Sequence, residues 1–136
     1  MRILAVDYGE RRTGLAVSDE LGITAQGLDT IEVKDEEEIP ALVAECAKNL
    51  RVERIVVGLP LNMDGTESEK SIKVRKFGEK LGEKTSVPVV FWDERMTSLQ
   101  AMRVIHEMGK KTYKNKQVID RISATLILQE FMKTLT

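Results

Sequence analysis

The sequence predicts an α/β fold: a mixed five-stranded sheet, three antiparallel strands followed by βα crossovers, with helices on both faces. Three observations lead there. Short apolar or alternating runs joined by turns open the chain. Beyond Asp35 the apolar spacing changes from that of a strand to that of a helix. From there helical stretches alternate with two further apolar runs.

Each element follows from its residues. Arg2–Asp7 (RILAVD) is a short apolar run, as expected of a strand buried on both faces. Gly9–Arg12 punctuate it. In Thr13–Ser18, Thr13, Leu15 and Val17 alternate with Gly14, Ala16 and Ser18. Asp19–Gly22 make a turn, and Ile23–Val33 carry a third, less regular strand. Asp35–Leu50 then place Ile39, Leu42, Val43, Cys46 and Leu50 on one helical face. Pro40 sets the regular start of this helix near Glu38. Arg54–Leu59 (RIVVGL) is a buried strand stopped by Pro60, and Asn62–Ser68 is a polar loop. The next helix turns Val74, Phe77 and Leu81 inward and Lys70, Lys73, Lys76 and Lys80 outward. Val87–Trp92 is a strand whose early Pro88 suits a sheet edge.

Thr97, with Gln100 three residues on, opens a helix with a capping-box signature. Leu99, Met102, Ile105 and Met108 form its stripe, and Gly109 is its candidate C-cap. Gly109–Lys116 is a basic loop. The last helix, about Gln117–Lys133, is apolar on most sides through Ile122, Leu126, Ile127, Leu128 and Phe131. This order, β-β-β-α-β-α-β-α-α, is that of the ribonuclease-H-like fold, an analogy that gives no function by itself.

The length of 136 residues suits one domain, 1–136, with no linker or repeat. The single Cys46 excludes an intrachain disulfide and a multi-cysteine zinc site, and it lies on an apolar helical stripe. No apolar run reaches the ~20 residues of a membrane span, and the chain opens on a strand pattern. A cytoplasmic protein without a membrane partner is expected. The 21 basic and 22 acidic residues argue against an overall basic coat for nucleic acid. The balance is uneven, however. Asp29–Glu38 hold six acids and one base, whereas Arg103–Arg121 hold six bases and two acids. The first stretch reads as a solvated helix entry away from any polyanion. The second is suited to a nucleic-acid backbone, with Tyr113 available to stack on a base. A solvated loop explains its charge equally well.

Three acids stand out. Asp7 closes an apolar strand, where a carboxylate is costly unless a divalent ion, Arg12 or a turn-capping role compensates it. Glu94 follows the last strand in Asp93-Glu94-Arg95, next to a helix start that favours negative charge by itself. Asp120 lies in the first turn of an apolar helix that carries it to the rim of a core. Two strand ends and a packed helix start can converge at one sheet edge. Carboxylates there suit Mg²⁺ or Mn²⁺, and two such ions can stabilise both oxygens of a phosphodiester displacement. His106, the one histidine, has no nucleophile elbow to serve.

The chain resembles the YqgF/RuvX family of pre-16S rRNA nucleases, also described as Holliday-junction-resolvase-like. Four blocks in order carry the resemblance: Asp7–Asp19, Gly58–Gly65, Asp93–Ser98 and Asp120–Gln129. It covers essentially the full length. It implies a ribonuclease-H-like fold, with Asp7, Glu94 and Asp120 as a catalytic, metal-binding triad for Mg²⁺ or Mn²⁺, two ions in all. It implies trimming of the 5′ end of the small-subunit rRNA precursor. The chain departs from junction resolvases of this fold at its fourth strand, which ends in Gly58-Leu59-Pro60 without an acid. The candidate therefore moves to Glu94, with Asp93 as its competitor.

The expectation is a metal-dependent nuclease of pre-rRNA in ribosome biogenesis. Arg12, Arg95, Lys110, Lys111, Lys114 and Lys116 would hold phosphates, and assembling ribosomal particles would be partners. The alternatives are a resolvase of branched DNA and a non-catalytic nucleic-acid-binding assembly factor. The expected state is a monomer or weak homodimer.

Overall fold

An apolar run with no polar face must be covered on both sides. Ile3–Val6 is such a run, and it lies wholly buried in β1 (Ile3–Asp7). The computed structural model describes residues 1–96 and 116–135. β2 (Arg12–Ser18) returns antiparallel beside β1, and β3 (Ala25–Gly27) pairs with β2. β4 (Ile31–Glu32) pairs with the start of β2, Arg12 opposite Glu32. After two crossovers, β5 (Arg54–Leu59) and β6 (Val89–Asp93) add parallel strands. The order is β3-β2-β1-β5-β6, so β1 is central and β6, with Pro88 just before it, ends the order.

The one irregular strand expected over Ile23–Val33 is therefore two short strands. The interruption has a physical cause. Arg121 Nε donates to the Leu28 carbonyl at 3.0 Å, and its Nη2 reaches Asp29 at 3.1 Å. A carbonyl held by a guanidinium is diverted from the strand ladder. The same contact ties part of the acidic stretch to a base, as does Glu37 with Lys80, and the Gln117 amide donates to Glu32 at 3.0 Å. All six acids of the stretch stay exposed, as expected of a solvated helix entry, and these pairings lie at its surface.

Side-chain alternation sorts the strands into two cores. Leu4, Val6, Leu15, Val17, Ile55 and Val57 face α1 (Ile39–Asn49) and α2 (Glu69–Lys84). Ile3, Ala5, Ala16 and Val56 face α3 (Lys116–Lys133). The α1–α2 side carries larger residues, whereas the α3 side is lined by alanines and glycines that let a helix come close.

A 3-10 turn, Glu36–Glu38, leads into α1, with Asp35 capping it through the Glu37 N–H at 3.0 Å. The α1 stripe is Ile39, Val43 and Ala47, and Leu42, expected inward, is 38% exposed. In α3 the buried face runs through Ser123, Ala124, Ile127, Leu128, Phe131 and Met132, whereas Ile122 is 39% exposed. Both corrections have one cause: a single 3.6-residue stripe is narrower than the set of apolar residues each helix carries. The helix expected from Thr97 through Gly109, with His106, and most of the basic loop, with Tyr113, lie outside the described residues. Among the described residues, no helix is long and apolar enough to cross a membrane.

Gly14 fixes how closely α3 approaches. A Cβ there would lie 2.2 Å from the backbone oxygen of Asp120, and backbone cannot rotate away. Gly14→Ala should therefore cost about 2–3 kcal/mol, read as a lower urea midpoint with an unchanged slope. A midpoint equal to that of the parent chain would show that α3 does not rest on this contact.

Candidate active site

The two ends of β1 differ in kind. Its first four residues are sealed in the core, whereas Asp7 is half-buried at the C-terminal edge, opposite Gly14. Asp7 is in phase with Ile3 and Ala5, so it belongs to the α3 face. A tight turn follows. Thr13 Oγ1 donates to the Gly9 carbonyl at 3.0 Å, and a Cβ on Gly9 would strike the Arg12 carbonyl. Only glycine lets the chain double back so closely behind Asp7.

Glu94 reaches the same edge from β6. It begins a 3-10 turn, Glu94–Met96, directly after the strand. Its carboxylate lies over Gly58 of β5, where a Cβ would sit 2.7 Å from both Glu94 Oε1 and Ile127 Cδ1. The space left by Gly58 is thus shared by the glutamate and the helix. Burial and the neighbouring Asp7 charge push the Glu94 carboxyl up to about 7, with Asp93 adding to the rise and Lys70 opposing it. Asp7 and Glu94 are therefore brought together.

Asp93 goes elsewhere. It is in phase with Val89 and Phe91, on the opposite sheet face. Arg95 Nε and Nη2 donate to its carboxylate at 3.0 and 2.7 Å, and the Arg95 backbone N–H adds a third bond at 2.9 Å. The guanidinium holds Asp93 below the usual carboxylate range. Of the two competitors, Glu94 is the one that meets Asp7.

Asp120 arrives on the second turn of α3. Arg12 Nε donates to Asp120 Oδ2 at 2.9 Å across a half-buried contact. Burial raises the Asp120 carboxyl, while Arg12 and Lys70 pull it back. The Arg12 pair neutralises Asp120 more than it draws it to the other two acids. Among the described residues, no group of three or more His, Cys, Asp or Glu side chains stands ready as a metal site.

The expected phosphate-holding residues divide accordingly. Arg12 and Arg95 are engaged by Asp120 and Asp93. Lys110, Lys111 and Lys114 lie outside the described residues, and Lys116 begins α3. Cys46 is half-buried, and burial pushes its thiol up, as suits a packing residue.

Lys70 escaped the sequence reading, which placed it on a solvated helix face. It is exposed, yet its charge acts on both Glu94 and Asp120. The available signal was its place in the first turn after the Asn62–Ser68 loop, which leads away from the C-terminal edge of β5. Two half-buried carboxylates at that edge make an all-oxygen pair that suits a hard divalent cation.

The chain is similar to known proteins along nearly its whole length. The RuvX family, described as Holliday junction resolvase, matches residues 1–134. A Caldanaerobacter subterraneus subsp. tengcongensis protein named "Putative pre-16S rRNA nuclease" is 46% identical over 97% of this chain and 96% of its own length. A Koribacter versatilis protein of the same name is 46% identical over 97% of this chain and 86% of its own length. The Thermus thermophilus RuvC structure is similar in fold, with a TM-score of 0.62 at 15% identity, over 100% of this chain and 98% of that one. That likeness is to a mixed sheet and helices in the order described above.

The raised Glu94 value has a consequence of definite sign. A carboxyl bound to its proton more tightly when folded lowers stability as pH rises from about 4.5 through about 7. In chelator, Glu94→Gln should gain about 1–3 kcal/mol relative to the parent between pH 4.5 and 8. Denaturation curves at several pH values measure it. Parallel pH dependences would place Glu94 in solvent, away from Asp7.

Proposed function

The chain belongs to the RuvX family, and from that premise we propose that it is a divalent-metal-dependent nuclease that cleaves phosphodiester bonds of the small-subunit rRNA precursor. One observation carries the proposal: Glu94, half-buried over Gly58, lies within reach of the Asp7 charge at the C-terminal edge of the parallel strands. Nothing in a purely structural role requires two carboxylates to meet there, because the repulsion between them costs stability.

The donor set fits a hard cation. Asp7 and Glu94 would hold it, with Asp120 as a third ligand shared with Arg12. Oxygen donors of this kind favour Mg²⁺ or Mn²⁺. When bound, such an ion supplies positive charge against the negative charge that develops on a phosphate undergoing displacement. The chain's own residues do the rest. Glu94 changes protonation near neutral pH, so cation binding competes with its proton. Arg12 aligns Asp120. The α3 helix closes one face of the site against water, through the contact at Gly14 and Ile127 over Gly58. The names of the relatives support rRNA as the substrate, which makes assembling small-subunit particles the natural partner.

The description of the family favours a second reading, resolution of branched DNA. A symmetric four-way junction would require two such sites related by a twofold axis.

The decisive assay compares an rRNA precursor with a four-way junction, with Mg²⁺ or Mn²⁺ and in chelator, for the parent and Asp7→Asn. Cleavage of the precursor that needs metal and falls at least about a hundredfold in Asp7→Asn, with binding retained, is expected. Cleavage of the junction alone selects the second reading. A variant as active as the parent overturns the mechanism. Binding without cleavage, unaffected by Asp7→Asn, makes the protein an assembly factor.

A further inference from the structure

Beside the acids lies a groove of about 600 Å³. Tyr8, Gly9 and Glu10 form one wall, and the N-cap Ser68 with Glu69, Lys70 and Lys73 of the first turns of α2 forms the other. Its volume exceeds that of one nucleotide unit.

Both walls are fixed. The Tyr8 ring stacks on Phe77 of α2 with centroids 4.5 Å apart, and Thr13 pins the turn at Gly9. Opposite, Ser68 Oγ donates to the Pro60 carbonyl at 2.6 Å and accepts from the Ser71 N–H at 2.9 Å. The loop before it is closed by Asn62 Nδ2 on Thr66 Oγ1 at 3.0 Å and by Arg95 Nη1 on the Met63 carbonyl at 3.4 Å. Hydrogen bonds at the N-terminal approach of α2 and the Tyr8–Phe77 stack therefore hold the two walls in place.

The distribution of cations singles out one residue. Arg12 is paired with Asp120, Arg95 with Asp93, and Lys73 with Glu10. Lys70 is exposed and makes no ion pair among the described residues, although its charge reaches both Glu94 and Asp120. A cation held near two acids, and bonded to neither, is placed to meet an anion arriving between them. Tyr8 of the groove wall directly follows Asp7 in the chain. An extended polyanion that presents one phosphate to the acids carries its neighbouring phosphate along the wall at Tyr8 and Gly9.

We propose that this groove seats the phosphodiester adjoining the scissile one, with Lys70 as its charge partner. The inference rests on the nuclease reading and deepens it: α2, and not only the basic stretch from Lys110 to Lys116, carries a strand of the substrate. The recognised chemistry is the phosphodiester, common to RNA and DNA strands.

The test is equilibrium binding in chelator, so that no cleavage occurs. A single-stranded RNA oligonucleotide and a DNA of the same sequence are titrated over a range of KCl concentrations. Log affinity falls linearly with log salt, by about 0.7 per phosphate contact for single strands. Lys70→Gln should bind RNA roughly three- to tenfold more weakly at low salt, with a slope smaller by about 0.7. Lys70→Arg should restore both. Lys84→Gln, at the far end of α2, is the control for net charge and should leave the slope unchanged. Equal losses on RNA and DNA support recognition of the phosphate common to both, and a loss confined to RNA assigns the contact to an RNA strand. An unchanged slope in Lys70→Gln, or an equal drop in Lys84→Gln, overturns the groove while the nuclease reading stands. A parent chain that binds neither strand overturns both.

Discussion

The close seat of α3 on the sheet is the constraint on which the candidate site depends. Gly14 leaves room for the Asp120 backbone to come close, and Gly58 leaves room that Ile127 and Glu94 share. The alanines of β1 and β2 continue that low surface. Larger residues at these positions would lift the helix, and Asp120 would leave the edge where Asp7 and Glu94 meet. Core packing and site geometry are thus one problem in this protein. The small side of the sheet gives up apolar burial for proximity, and the side under α1 and α2 supplies the larger core.

Charge is then distributed by pairing. The half-buried acids at the rim have different partners: Arg12 for Asp120, Arg95 for Asp93, and repulsion from Asp7 for Glu94. Removing a charge from water requires compensation. Asp93 receives it fully from a guanidinium, which makes it structural. Glu94 does not, and its carboxyl holds its proton up to about 7. The near-zero net charge of the chain reflects this division. Acidic Asp29 and Glu37 are matched to Arg121 and Lys80, so the overall sum says little about any one surface.

The strands were largely legible from the sequence. Ile3–Val6 and Ile55–Val57 have no polar face, and the alternation in Thr13–Ser18 is regular. The break between β3 and β4 was not, because it depends on Arg121, more than ninety residues away in the chain. The helical stripes were half legible. Val74, Phe77 and Leu81 turn inward as expected, but Leu42 and Ile122 do not, since an apolar residue beside a stripe looks like one within it. The candidate acids were named from strand ends and a helix start. The choice between Asp93 and Glu94 was open, although the period of two in Val89–Trp92 bears on it once α3 is known to cover the Val90 and Trp92 face.

The sequence by itself determined the kinds of element, their order and the family to which they belong. These follow from local periodicity and from four blocks of residues, both of which are properties of the chain alone. Tertiary structure decided which acid faces which. That depends on which side of the sheet a helix covers and how near it comes, and both are set by contacts between residues distant in sequence. It also decided the role of Lys70. A lysine on a polar helix face looks solvated in one dimension, and only the packing of α2 over β5 and β6 brings its charge to the acids.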